Sequence, residues 1–110
     1  MAWSLGTDYG STPAVQGSVV YAIQNGTLRA HDVTTGNLQW SFAADGALRY
    51  PPAIAAGYVY VASDSHVYAV SLDTHESVWQ TDVGGWLSIG AGRLFVASAN
   101  GVLTAFVLSP

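Results

Sequence analysis

Residues 13–40 read Pro13-Ala-Val-Gln-Gly17-Ser-Val19-Val-Tyr-Ala22-Ile-Gln-Asn25-Gly26-Thr-Leu-Arg-Ala30-His-Asp32-Val-Thr-Thr-Gly36-Asn-Leu-Gln-Trp40, and the rest of the chain repeats this pattern. The small-apolar opening recurs as Pro52-Ala-Ile-Ala-Ala-Gly57 and Leu87-Ser-Ile-Gly-Ala-Gly92. The β-branched run Val19-Val-Tyr-Ala22 recurs as Val59-Tyr-Val-Ala62 and Leu94-Phe-Val-Ala97. Gly26-Thr-Leu-Arg-Ala30 is answered by Ser65-His-Val-Tyr-Ala69 and Gly101-Val-Leu-Thr-Ala105. Trp3, Trp40 and Trp79 stand 37 and 39 residues apart, and the steps from Ala30 to Trp40 and from Ala69 to Trp79 are both ten.

Each unit carries four short strand signals separated by turn signals, and no helical period occurs. Asn25-Gly26 and Asn100-Gly101 suit tight hairpins, whose two central residues take positive φ; Thr35-Gly36 supplies a further turn. Four strands in about 40 residues, repeated, is the period of a propeller blade. A β-helix would need shorter coils, and a sandwich would not repeat the Trp register. The fold class is therefore all-β, with three blades' worth of four-stranded antiparallel sheet.

The expected strands of the first blade are 13–16, 18–23, 27–33 and 38–43. Those of the second are 52–55, 58–63, 66–71 and 77–82. The third unit shows only three, at 86–89, 92–98 and 101–107, and the missing outer strand is expected at the other end, as Ala2-Trp3-Ser4-Leu5. The organisation is one propeller segment: a blade over 12–50, a blade over 51–83, and a split blade over 84–110 completed by 2–6. Three blades fall short of the four to eight of a closed propeller, and an open arc leaves two apolar faces in water. A homodimer closing a six-blade ring is the expected partner arrangement, with a trimer of nine blades as the wider alternative. The expected seam pairs residues 2–6 of one chain with 101–107 of the next.

The string Pro-Ala-Val-x-Gly-x-x-Val-Tyr-Ala, then Asn-Gly-x-Leu-x-Ala, then Asp32-x-x-Thr-Gly36-x-Leu-x-Trp40 resembles the repeat of the pyrroloquinoline-quinone-type propellers, across essentially the whole chain. That repeat is shared by quinoprotein dehydrogenases, by an outer-membrane assembly lipoprotein and by sensor domains of bacterial kinases. The resemblance implies a fold and leaves activity open. It implies that Trp3, Trp40 and Trp79 join one blade to its neighbour, each burying an indole. For the dehydrogenases it also implies a quinone under about eight blades, with calcium held by Glu, Asn and Asp and often a vicinal disulfide. This chain has no Cys, and Glu76, its one Glu, falls in a turn away from the channel. No cofactor is expected.

Composition narrows the partners. Three Arg, no Lys, six Asp and Glu76 give a net charge of −4 in 110 residues, which offers no electrostatic footprint for nucleic acid. No apolar run approaches the roughly 18 residues of a membrane helix, so membrane insertion is not expected. The first eight residues lack the basic and apolar regions of a signal peptide. Without Cys, neither disulfides nor thiolate metal sites are available.

Trp86 falls outside the Trp repeat and follows Gly84-Gly85, where the chain enters an innermost strand beside the channel. The matching entry to the second blade carries Arg49 and Tyr50. These loops share a face with the hairpins at 24–26, 64–66 and 99–101, where propellers usually bind. Arg49, Tyr50 and Trp86 are the candidate ligand-binding residues, for a protein or a small ligand; a structural plug for the channel is the competing reading. Asp64-Ser65-His66 offers triad-like residue types, but neighbours on one tight turn rarely orient one another as a triad requires, and Asp and Ser are ordinary turn residues. No catalytic or metal-ligating set is expected there. Asp73-Thr-His75-Glu76 is read as a surface turn in which His75 replaces Gly36 of the first unit. The functional expectation is a non-catalytic scaffold or binding module. The alternatives are a remnant of a quinoprotein dehydrogenase and a truncated or engineered fragment without a function of its own.

Overall fold

The computed structural model describes residues 9–98 and 100–107. Eleven strands run in chain order: β1 (Tyr9–Gln16), β2 (Val19–Gln24), β3 (Thr27–Asp32), β4 (Leu38–Phe42), β5 (Ala53–Ala55), β6 (Tyr58–Ala62), β7 (Val67–Ser71), β8 (Ser77–Thr81), β9 (Trp86–Gly90), β10 (Arg93–Ala97) and β11 (Leu103–Val107). They form antiparallel meanders β1-β2-β3-β4 and β5-β6-β7-β8, and a sheet β9-β10-β11. These are the expected blades, and among the described residues the third has three strands. The expected outer strand 2–6 lies outside the described residues. No helix of the described residues is long and apolar enough to cross a membrane.

Side-chain alternation places Tyr21, Ala30 and Trp40 on one face of the first sheet by direct cross-strand pairing. Tyr60, Ala69 and Trp79 occupy the same places in the second. Both sheets shift register one step past the alanine, at Ala30/His31 and at Ala69/Val70. Such a bulge inserts one extra residue and strengthens the local twist. The small alanine leaves room for the indole beside it, which explains why this spacing repeats.

The blades pack through two apolar interfaces. Leu28 and Ala30 of the first and Val59, Val61 and Val70 of the second are fully buried in one cluster. Tyr60, Ala62 and Val67 of the second meet Leu94 and Val96 of the third in another. Full burial of a Val or Leu side chain contributes about 1.5–3 kcal/mol, so these two seams hold the sheets side by side. Trp40 and Trp79 cross them. Trp40 stands edge-on to Tyr21 and stacks on His75 in the next blade, and Trp79 meets Phe106 of the third blade edge-on, with centroids 5.3 Å apart. Trp3 lies outside the described residues.

Two local expectations are corrected. β1 begins at Tyr9 rather than 13, because Tyr9 and Gly10 still pair with Gln24 and Ile23 beyond a register shift. Asn100-Gly101 does not close a two-residue hairpin, since β10 and β11 pair last at Ala97 and Leu103 and the loop closes through Ser98 N–H to the Val102 carbonyl at 2.9 Å. Asn25-Gly26 behaves as expected, with φ of 50° and 82°.

Candidate functional site

The β2–β3, β6–β7 and β10–β11 loops and the two blade-to-blade connections share one end of the arc, because every strand is antiparallel to its neighbour. The connection from β4 to β5 is fixed there by its backbone. Leu48 N–H donates to the Gly26 carbonyl at 3.2 Å, and Arg49 and Tyr50 N–H groups donate to the Ala62 carbonyl at 3.0 and 3.4 Å. Leu48 is buried beneath them. This short run therefore ties the hairpin of the first blade to that of the second and holds Arg49 and Tyr50 in place.

The three candidate residues are brought together. The Tyr50 hydroxyl donates to Asp64 Oδ1 at 2.6 Å, and Arg49 Nη1 donates to Asp64 Oδ2 at 3.0 Å. The Arg49 guanidinium lies 5.5 Å from the centre of the Tyr50 ring. Trp86 meets that ring edge-on at 5.2 Å between centroids, while 60% of its surface stays exposed and Tyr50 is only 6% exposed. The hydrogen bond from Tyr50, then that from Arg49, holds the Asp64 carboxyl below its usual range. The same bond to Asp64, with burial added, pushes the Tyr50 phenol up. Asp64 is the residue the sequence reading passed over, as an ordinary turn aspartate.

A second polar group lies alongside. Asp45 Oδ1 accepts from Ala47 N–H at 2.9 Å, and Asp45 Oδ2 accepts from the Ser63 hydroxyl at 2.8 Å. His66 lies between two carboxylates, with Nδ1 3.7 Å from Asp45 Oδ2 and Nε2 3.3 Å from Asp82 Oδ1. Burial alone would raise the Asp45 carboxyl, but donors from Ala47, Ser63 and Tyr68, with the nearby His66, outweigh it and hold it low. Asp64 and His66 thus engage different partners, and with Ser65 they form no triad. The serine engaged here is Ser63, which is fully buried. Its oxygen accepts Ser65 and His66 N–H while its proton goes to Asp45. One donor and two acceptor positions are all a hydroxyl has, so Ser63 spends its whole hydrogen-bonding capacity on holding the hairpin. Among the described residues, no three His, Cys, Asp or Glu side chains converge on a metal position.

Gly84 lets the second connection approach this hairpin. A Cβ there would run into the Ser63 carbonyl and the Asp64 backbone. A cleft of about 370 Å³ opens beside it, lined by Asp64, Asp82, Gly84, Ser98, Asn100 and Thr104. At the opposite end of the blades, His75 takes φ of 64° in the β7–β8 turn, at the position Gly36 holds in the first blade. Its stacking on Trp40 was not anticipated.

The family model described as outer membrane protein assembly factor BamB matches residues 1–81. No curated protein matches the chain. Among solved structures, quinohemoprotein alcohol dehydrogenase ADHIIG from Pseudomonas putida HK5 superposes with a TM-score of 0.81 at 20% identity, over 94% of this chain and 20% of that one. BamB from Moraxella catarrhalis gives 0.72 at 26% identity, over 87% of this chain and 32% of that one. Quinohemoprotein alcohol dehydrogenase from Comamonas testosteroni gives 0.76 at 21%, over 91% and 19%. The chain spans about a fifth of the length of each dehydrogenase and about a third of the BamB structure.

Proposed function

Because the chain belongs to the BamB-type family of pyrroloquinoline-quinone-like propeller repeats, we propose that it is a non-catalytic propeller segment that binds a protein or small ligand on the end of the blades where Arg49, Tyr50 and Trp86 meet. The observation that carries this reading is the Asp64-centred cluster. Its backbone is hydrogen-bonded to two hairpins, yet the Arg49 side chain is 63% exposed and Trp86 is open to solvent. A fixed aromatic with an exposed guanidinium beside it gives a partner a stacking surface and free N–H donors at little ordering cost. The matching family is named for an assembly factor, a role of binding rather than turnover.

The dehydrogenase reading has less support. The calcium and quinone that the fold family implies call for converging Glu, Asn and Asp ligands. Glu76 sits in the β7–β8 turn, at the opposite end from Trp86, and no acidic or His triplet converges among the described residues. Among the described residues, those present do not fit the group.

The test is selection of a displayed library of random 12-residue peptides on the purified chain. Arg49→Ala and Trp86→Ala should each remove the enriched binding, whereas Tyr50 calls for the milder Tyr50→Phe, since it is buried. Enriched peptides that bind all three variants as well as the parent chain would refute the site. Dye reduction with an alcohol after adding pyrroloquinoline quinone and calcium would instead favour the enzyme.

A further inference from the structure

The two seams between blades are built alike and filled differently. At the first, Trp40 pairs with Ala30, and the His75 imidazole covers its indole, with centroids 4.3 Å apart and planes 7° from parallel. At the second, Trp79 pairs with Ala69 in the equivalent place, and its ring partner is Phe106, which meets it edge-on at 73°. Among the described residues no ring stacks on the Trp79 indole, and Trp79 stays 38% exposed. A cavity of about 350 Å³ lies against it, lined by Tyr58, Tyr60, Leu94, Phe106 and Val107 among others. Tyr58 begins β6 and Val107 ends β11, so the cavity lies toward the end of the blades opposite Arg49 and Trp86.

We propose that this cavity binds a small, neutral, planar heteroaromatic molecule of one or two rings. The ligand stacks on Trp79 as His75 stacks on Trp40, and its ring nitrogen or oxygen accepts a hydrogen bond from the Tyr60 hydroxyl. The site is separate from the Arg49–Trp86 end and does not depend on what binds there.

Tyr60 supplies the polar contact. The residue is 6% exposed, yet its hydroxyl has no hydrogen-bond partner among the described residues. Buried tyrosine hydroxyls ordinarily find one. The oxygen is not sealed into the seam, and the open space that Tyr60 lines is this cavity. Burial, with Tyr58 beside it, pushes the Tyr60 phenol up, so it keeps its proton and can donate it. An acceptor on the ligand satisfies a group that the described residues leave open.

Size and lining set the ligand class. An apolar cavity of about 150 Å³ takes a benzene ring, so about 350 Å³ has room for a second ring. Tyr58, Tyr60, Trp79 and Phe106 form an aromatic wall, and among the described residues no charged side chain lines it. A charged ligand would lose its hydration there with no counter-charge to replace it. A neutral ring gains both apolar burial and stacking. A quaternary ammonium ion would be drawn to the same rings, but it has no lone pair to accept the Tyr60 proton.

The probe is quinoline, uncharged at neutral pH, titrated onto the purified chain and followed by saturation-transfer NMR. Saturable binding with a Kd of about 1 mM or tighter is expected for a ligand of this size. Trp79→Ala would also loosen the seam, so two milder variants carry the test. Tyr60→Phe keeps the buried ring and should weaken binding about fivefold, the loss of one hydrogen bond. Val107→Trp places a ring at the cavity mouth from a position 72% exposed and should remove binding. Decahydro-2-naphthol, which has two rings and an acceptor but no π face, should bind about fivefold more weakly than quinoline. No saturable signal, or a Tyr60→Phe variant that binds as the parent does, would overturn the proposal. So would tetramethylammonium or decahydro-2-naphthol binding as tightly as quinoline. A signal that Trp86→Ala removes and Val107→Trp leaves would place the ligand at the other end of the blades and overturn the assignment.

Discussion

Trp40 and His75 stack face to face across the first blade boundary, their ring centroids 4.3 Å apart and their planes 7° from parallel. His75 reaches that position only by adopting φ of 64°, a left-handed conformation that an L-residue pays for and glycine does not. The first blade has Gly36 in the equivalent turn. The stack and the strain therefore oppose each other at one residue.

Two substitutions separate them. His75→Ala loses an aromatic contact of about 1 kcal/mol and keeps the strained backbone, so its unfolding free energy in urea should fall by about that amount. His75→Gly loses the same contact but relieves a similar strain, and should lie close to the parent. Trp40→Ala should cost about 3 kcal/mol, as large aromatic truncations do. A His75→Gly variant less stable than His75→Ala would contradict this division.

Asp64 joins Arg49 to Tyr50, and its depressed pKa makes that junction dependent on acid. A carboxylate held below its unfolded value of 3.8 stabilises the fold above that value, and the contribution fades as pH falls through the folded pKa. Asp32 and Asp45 are also held low, so the parent chain alone cannot isolate the effect. The difference between parent and Asp64→Asn should: present at pH 6 in chemical unfolding, and closing below the ordinary carboxylate value. A difference unchanged at pH 3 would mean that the Asp64 charge contributes nothing to the junction.

The blades were legible because the alternation and the step of ten from Ala to Trp are written locally. β6 was expected at 58–63 and spans Tyr58–Ala62; β8 was expected at 77–82 and spans Ser77–Thr81. The start of β1 is hidden in the sequence because Ser11-Thr12-Pro13 resembles a turn, whereas pairing with β2 continues past it through a bulge. Arg49, Tyr50 and Trp86 could be grouped because strand direction alone puts their loops on one end. Asp64 and Ser63 could not. A turn aspartate that orients two neighbours has the same local sequence as one that only closes its turn, and the distinction arises from a connection 14 residues away.

Gly84 gives a test of how tightly the two connections are packed. Its missing side chain is required by the Ser63 carbonyl and the Asp64 backbone, whereas a Cβ on Gly90 would meet nothing within 4 Å. Gly84→Ala should cost about 1–3 kcal/mol, as overpacking against backbone does, and should disturb the Asp64 cluster on the same hairpin. Gly90→Ala should be close to neutral. Equal midpoints for the two variants would show that the hairpin yields without cost.

Ser63 distinguishes a structural hydroxyl from a reactive one. Its proton is committed to Asp45 and its lone pairs to the N–H groups of Ser65 and His66, and the side chain is fully buried. His66 approaches it through backbone, with its ring turned to Asp45 and Asp82, so the imidazole is not placed to take the Ser63 proton, and the Asp45 carboxylate that accepts its hydrogen bond is held low and is a weak base. A fluorophosphonate probe should therefore leave no adduct on the intact chain by mass spectrometry. Ser63→Ala should cost about 2 kcal/mol, because two N–H groups in the hairpin lose their acceptor and an unsatisfied buried donor costs about 1–3 kcal/mol. Ser65→Ala, in which no such hydroxyl bond is lost, should be nearly neutral. Probe labelling at Ser63 would return a nucleophilic role to this hairpin and reopen the enzyme reading; destabilisation without labelling assigns the residue to holding Asp45 and the hairpin in register beneath Arg49 and Tyr50.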